Sequence, residues 1–272
     1  MLALPSLRFM YPLALALLSA SAAGAQVAQK APDSLAGPTT ATTSAAPDCA
    51  HPFGLKDNME RVYRITTADG KAAGELRMRV VSLGTKMNKK KTVETHTALL
   101  KSGLYDSKNR LQSMQDLTFA CRSDTSYTDG MAEFKPESLR SFRDRKLLYA
   151  PVALAWPHQP KVGAQLPDGG SQVQVSSSVV DIAKVSSFAR KRKVVSGPES
   201  VTTPAGTFSC YKVESEHEDA TTARKDMVIR SANRVVDYYS PAVGIVKTEV
   251  YGKNGKLAQI RTLVSSSGGV GR

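Results

Sequence analysis

The sequence is poor in aromatic residues, 6%, and has a single Trp. It has no His-Glu-x-x-His pair, no Gly-x-Ser-x-Gly elbow and no glycine loop of the kind that cradles phosphate. The four His, His51, His96, His158 and His217, form no close metal pair. These gaps remove the usual signatures of metalloproteases, serine hydrolases and nucleotide enzymes. The expectation is a non-enzyme without cofactor or metal site. A hydrolase built on two carboxylates that meet across a sheet leaves no trace in spacing, so it stands as an alternative. Glu216-His217-Glu218-Asp219 could hold a cation weakly, but neighbours on a strand alternate faces. The segment is read as a solvated acidic loop.

Acidic residues are also short. Lys and Arg number 37 against 24 Asp and Glu, for a formal charge of +13. The excess gathers in Lys89, Lys90 and Lys91, and in Arg190, Lys191, Arg192 and Lys193. These seven are candidate anion-binding residues, suited to lipid head groups, lipopolysaccharide, acidic glycans or nucleic acid. No aromatic residues interleave with the runs, so base stacking is unsupported and nucleic acid is disfavoured. The plainer reading is that they coat solvated loops and strand edges.

Long apolar runs are missing. Leu13–Ala20 follows Arg8 and precedes Ala23-Gly24-Ala25, which makes 1–25 a secretory signal peptide. The run is too short to span a bilayer. An uncleaved anchor is the minor alternative, and with no Cys after the small residues a lipoprotein is not expected. The chain is read as exported, periplasmic or secreted, with no transmembrane span in the mature part. Residues 26–48, rich in Ala, Pro, Ser and Thr, read as a disordered linker. Residues 49–264 form the domain, and 265–272 read as a disordered tail.

Only three Cys occur: Cys49, Cys121 and Cys210. In an oxidising compartment two of them can pair. Cys49–Cys121 is slightly favoured over the other two pairings, which leaves Cys210 as a buried, inert thiol.

What is present is a β pattern. Asp69-Gly70 joins Arg61–Thr67 to Gly74–Val81 as a hairpin, and a two-residue turn sets Tyr63 opposite Leu76. Leu117, Phe119 and Cys121 alternate with polar residues. Tyr127–Phe134 reads as a strand with a turn or bulge at Asp129-Gly130. Asp226–Tyr239 reads as a strand bulged near Ala232-Asn233. Glu137–Leu148 is the one plausible helix. Trp156, among Pro151, Pro157 and Pro160, is read as the plug of a β core rather than a ligand platform. For the last hairpin, a two-residue Asn254-Gly255 turn would set Val250 opposite Gln259. A three-residue loop, Lys253-Asn254-Gly255, sets Val250, Thr248 and Val246 opposite Ala258, Ile260 and Thr262. The second keeps one face mostly apolar and is expected, with Gly255 left-handed.

Thr203-Pro204-Ala205-Gly206-Thr207-Phe208 with Cys210-Tyr211-Lys212-Val213, and Tyr239–Lys247 followed by Tyr251 and Gly255-Lys256-Leu257, resemble the signature of TapB-like domains. That resemblance implies a curved antiparallel sheet and an envelope location, and it carries over no catalytic or binding residue. The residues themselves give an all-β fold: antiparallel hairpins in a strongly curved sheet or open barrel, with little helix. A concave face that side chains do not fill can hold a ligand. The expected function is a non-enzymatic envelope protein that binds an apolar or amphipathic ligand or scaffolds an envelope assembly. Partners would be an envelope lipid, glycan or protein. A basic protein docked on anionic lipid or glycan is the alternative. A concave face packed shut would count against a ligand.

Overall fold

The computed structural model describes residues 42–43, 46–224 and 227–268. The expected signal peptide and nearly all of the linker lie outside them. The described residues form fourteen strands: β1 Thr42–Thr43, β2 Glu60–Thr67, β3 Ala72–Met87, β4 Glu94–Asp106, β5 Leu111–Arg122, β6 Thr125–Thr128 and β7 Lys146–Val152. They continue with β8 Leu154–Pro157, β9 Gly169–Ser176, β10 Asp181–Thr203, β11 Gly206–Arg224, β12 Met227–Ser240, β13 Gly244–Tyr251 and β14 Leu257–Ser267. Short 3-10 turns occupy Pro52–Gly54, Gly130–Glu133 and Pro136–Phe142.

All the strands belong to one sheet, ordered β7-β9-β10-β11-β12-β13-β14-β2-β3-β4-β5-β6-β8, with β1 paired in parallel to β11. The rest is antiparallel, and the sheet curls until it is nearly closed into a barrel. The chain itself draws the ends together, because edge strands β7 and β8 are separated only by Ala153. The seam is built on glycine. A Cβ on Gly130 would strike the carbonyl oxygens of Gly170 and Val152, and one on Gly169 would lie 2.7 Å from Leu154 Cγ.

Three neighbouring hairpins share one turn. In β2–β3, Thr67 N–H donates to Lys71 O at 2.9 Å and Gly70 N–H to Thr67 O at 2.9 Å, which leaves the three-residue loop 68–70. The β4–β5 loop 107–109 and the β13–β14 loop 253–255 repeat the pattern through Asn109 and Gly255. The third loop residue is left-handed each time: φ is 81° at Gly70, 59° at Asn109 and 72° at Gly255. A bulge then follows in each hairpin. In the first, the bulge corrects the odd loop, so Tyr63 does face Leu76. The turn reaches that register by a longer route than a two-residue Asp69-Gly70.

The same device overturns the expected register of the last hairpin. Its loop is Lys253-Asn254-Gly255, with Gly255 left-handed. The bulge between the Val250 and Tyr251 pairs then restores Val250 opposite Gln259 and Thr248 opposite Arg261. An apolar face was the wrong criterion here, because the inward face at this level mixes Val250 with Thr248, Gln259 and Arg261.

Other local readings also change. Glu137–Leu148 is no α-helix: Pro136–Phe142 is a 3-10 turn, and β7 begins at Lys146. The charged segment lacks an apolar stripe long enough to hold a helix, and only Leu139 within the turn is buried. The Tyr127–Phe134 strand stops at Thr128, where Asp129 caps the next turn by accepting from Met131 N–H at 2.9 Å. Ala232 and Asn233 pair in unbroken register with Glu218 and His217, so β12 carries no bulge there. Glu216–Asp219 is mid-strand in β11 rather than a loop. Strand pairing extends past the expected domain limits: β14 runs to Ser267 against β2, and Thr42–Thr43 pairs within the expected linker.

The core has two parts. The larger contains Leu100, Leu117, Phe119, Trp156, Tyr239, Val246 and Leu263. Trp156 is 1% exposed, donates Nε1–H to Thr128 Oγ1 at 3.0 Å and packs beside Tyr239. It is a core plug. The smaller part joins Phe134 and Leu139 to Val173, Val175, Ala183 and Val185. Cys49 and Cys121 form a disulfide, and Cys210 is a buried free thiol.

Candidate functional site

Strand periodicity decides which side chains enter the barrel. On β2 the residues Arg61, Tyr63 and Ile65 share the inner face, and all three are buried. Arg61 is 3% exposed, and its Nη1 and Nη2 donate to Val243 O and Phe53 O, each at 2.6 Å. Its Nε–H has no partner, and burial pushes the guanidinium below its ordinary range. On β14 the bulged register turns Arg261 inward opposite Thr248. Arg261 Nη2 donates to Thr248 Oγ1 at 3.2 Å, and Thr248 in turn donates to Asp237 Oδ1 at 2.7 Å. Burial pushes the Asp237 carboxyl above its usual value, and the neighbouring Glu133 adds to this against His217, Thr248 and Arg261.

The Gly130–Glu133 turn carries Glu133 into the same interior. Its backbone carbonyl accepts from Ser187 Oγ at 2.8 Å, and its carboxylate lies 3.2 Å from His217 Nδ1. Next to it, Lys135 Nζ reaches Asp219 at 2.6 Å. Alternation along β11 thus sends His217 and Asp219 inward and Glu216 and Glu218 outward. No group of three or more His, Cys, Asp or Glu among the described residues converges on a metal position.

These side chains surround two joined spaces. An outer cavity of about 470 Å³ runs under the rim formed by the three like hairpins. Its walls include Ile65, Leu76, Leu104, Val235 and Val250, with the bulge residues Ala73 and Gln112 near the mouth. An inner chamber of about 70 Å³ lies deeper, against Arg61, Met78, Leu117 and Phe119. Leu76, Ser102, Gln115, Ala132, Glu133 and Arg261 line both, so they stand where the two spaces adjoin. Gln115 Oε1 is buried there without a hydrogen-bond partner. The concave face is therefore packed shut at the Trp156 end and open at the hairpin rim.

The basic runs fare differently. Lys89, Lys90 and Lys91 sit exposed at the β3–β4 tip, with no ion pair among the described residues. The second run is not a single cationic surface. A bulge at Lys191, where φ is 50°, adds a residue to β10 and turns Arg192 inward. Arg192 is 1% exposed, donates to Pro167 O and Ala155 O, and lies 4.5 Å over Trp156. Arg190 pairs with Asp168 and Glu218, and Lys191 with Glu216. Lys193 remains exposed.

The sequence reading missed Arg61, Gln115, Glu133 and Arg261 as site residues, and it weighed His217 only within the expected acidic loop. A signal existed for Arg61, which shares the parity of Tyr63 and Ile65. None existed for Arg261, whose facing depends on a bulge.

No curated protein matches the chain. Two crystal structures share the fold. One is of a candidate lipoprotein from Parabacteroides distasonis ATCC 8503, 19% identical, with a TM-score of 0.59 over 81% of this chain and 100% of that one. The other is of a candidate exported protein with a YmcC-like fold from Bacteroides fragilis NCTC 9343, 19% identical, with a TM-score of 0.55 over 80% and 100%. The DUF3108-like family profile matches residues 57–263, nearly the whole sheet, and the chain belongs to the DUF3108-like family.

Proposed function

We propose that this is an exported, non-enzymatic envelope protein whose barrel holds a small amphipathic molecule. The narrower kinship with TapB-like proteins belongs to the same reading. The observation that carries it is the pair of adjacent spaces at the open end of the barrel: an outer one whose walls mix an apolar strip with polar side chains, and a smaller inner one that is mostly apolar but holds Arg61 and Arg261. At about 470 Å³ the outer part lies within the range of small-molecule sites, roughly 300–1,000 Å³. The signal-like N-terminal sequence and the names of the two structural relatives support export. A hydrolase fits the interior less well. Of the carboxylates on the cavity walls, Glu133 is engaged by His217 and Asp106 by Arg110, which leaves Glu137 on the outer wall, and Asp237 stands behind Thr248, off the wall.

The test is native mass spectrometry of the full chain recovered from a periplasm, before and after organic extraction. A stoichiometric adduct that extraction removes is expected. A clean apo mass in both samples would sink the reading and shift weight to surface docking. That second reading rests on the unpaired tip at Lys89–Lys91 alone. It expects salt-sensitive binding to anionic vesicles, lost when Lys89, Lys90 and Lys91 are all changed to Ser.

A further inference from the structure

We infer that the polar end of the bound molecule is an anion, a carboxylate or a phosphate monoester, seated in the inner chamber between Arg61 and Arg261 with its hydrocarbon directed toward the hairpin rim. The inference rests on the reading that the cavity holds an amphiphile, and it names the head group. Two guanidinium groups line the inner chamber, and among the described residues neither has a carboxylate within 4.0 Å. Arg61 gives two N–H bonds to main-chain carbonyls and keeps Nε–H unpartnered inside the protein. Arg261 gives one bond, to the Thr248 hydroxyl. Asp237 hydrogen-bonds that hydroxyl rather than Arg261, and its charge acts on Arg261 only from beyond ion-pair distance.

A buried charge without a partner is costly, and a counter-ion held by the same donors removes the cost. Guanidinium suits this role because its planar fork matches the oxygens of carboxylate and phosphate. Glu133 is the one carboxylate on the chamber wall, and His217 already engages it. Gln115 and Ser102 stand where the two spaces adjoin. An amide can present either its oxygen or its NH₂ to a ligand, so Gln115 can donate to an oxyanion. On the rim side the tail meets a strip formed by Ile65, Leu104, Val235 and Val250, in a wall that also carries polar groups such as Gln112, Glu137 and Gln259.

Opposite signs at two positions test the inference. Titration calorimetry of the delipidated full chain would use sodium decanoate, decyl phosphate, decanol and decylammonium, alike in tail and different in head. Either or both anions are expected to bind, with decanol at least about tenfold weaker, as for a lost charge-assisted hydrogen bond. Arg261→Gln should weaken anion binding at least about tenfold, and Glu133→Gln should strengthen it. Arg61→Gln should also weaken it, and Arg261→Gln, at a partly exposed site, keeps the test decisive if Arg61→Gln fails to fold. The preferred anion distinguishes a fatty-acid from a phosphate source. Decanol equal to decanoate, or decylammonium preferred and lost in Glu133→Gln, would overturn the anion assignment and leave the amphiphile reading standing. No binding of any of the four would overturn both.

Discussion

Asp237 is the residue in which sequence and environment conflict most. Its strand position sends it into the barrel, where it is buried and its carboxylate has a hydroxyl but no cation in direct contact. Because its folded value is raised above 3.8, the native state binds the proton more tightly than the unfolded chain does. The stabilising contribution is fully present below the ordinary carboxylate value. It is lost as pH rises through the raised folded value. Asp237→Asn keeps an acceptor for Thr248 and removes the titration. The variant should therefore match or exceed the parent in Tm at neutral pH, and the difference should shrink toward pH 4. Melting curves across that range check this, and a variant that loses stability equally at every pH would refute the linkage. Arg192 shows the same lesson without a titration. Read in sequence it belongs to a basic patch, yet one bulge makes it the cation packed on Trp156.

At the level of elements, the like hairpins set the site. Each combines an odd loop with a compensating bulge, and the bulge residues Ala73 and Gln112 lie on the cavity wall. The loop glycines and the seam glycines answer to different forces. Gly255 has φ of 72° and nothing within 4 Å of its hypothetical Cβ, so Gly255→Ala pays only backbone strain, about 1 kcal/mol. Gly130→Ala drives a methyl group onto two main-chain carbonyl oxygens that cannot step aside, at about 2–3 kcal/mol. Urea titrations should place the Gly130 variant clearly below the Gly255 variant. Equal losses would mean that the seam is loose.

For the whole molecule, closure depends on contacts far apart in sequence. Cys49–Cys121 ties the chain that enters the domain to β5, across a separation of 72 residues. A loop of that length is worth about 4 kcal/mol in the chain-entropy model. Cys49→Ser should lower Tm by about 8–16 °C. A reductant should reproduce the effect in the parent and leave the variant unchanged. An unchanged Tm in Cys49→Ser would show that the bridge closes no loop that matters in the unfolded chain.

The fold class was legible in the residues for a local reason. Period-two alternation and turn chemistry are written in neighbouring positions, as in Leu117-Thr118-Phe119 or in the left-handed Gly255 of its three-residue loop. The same parity puts Arg61 on the face of Tyr63 and Ile65, a signal that was present in the sequence and not drawn from it. What only the tertiary structure decided was where bulges fall and which strands meet. A bulge shifts register by one residue and so reverses every side chain beyond it, and nothing local distinguishes the two outcomes. This is why Arg261 rather than Ile260 faces Thr248, why Arg192 leaves the surface, and why Glu133 and His217, far apart in the chain, meet inside the barrel. The pairing of Cys49 with Cys121, slightly favoured in the sequence, is the one the fold forms.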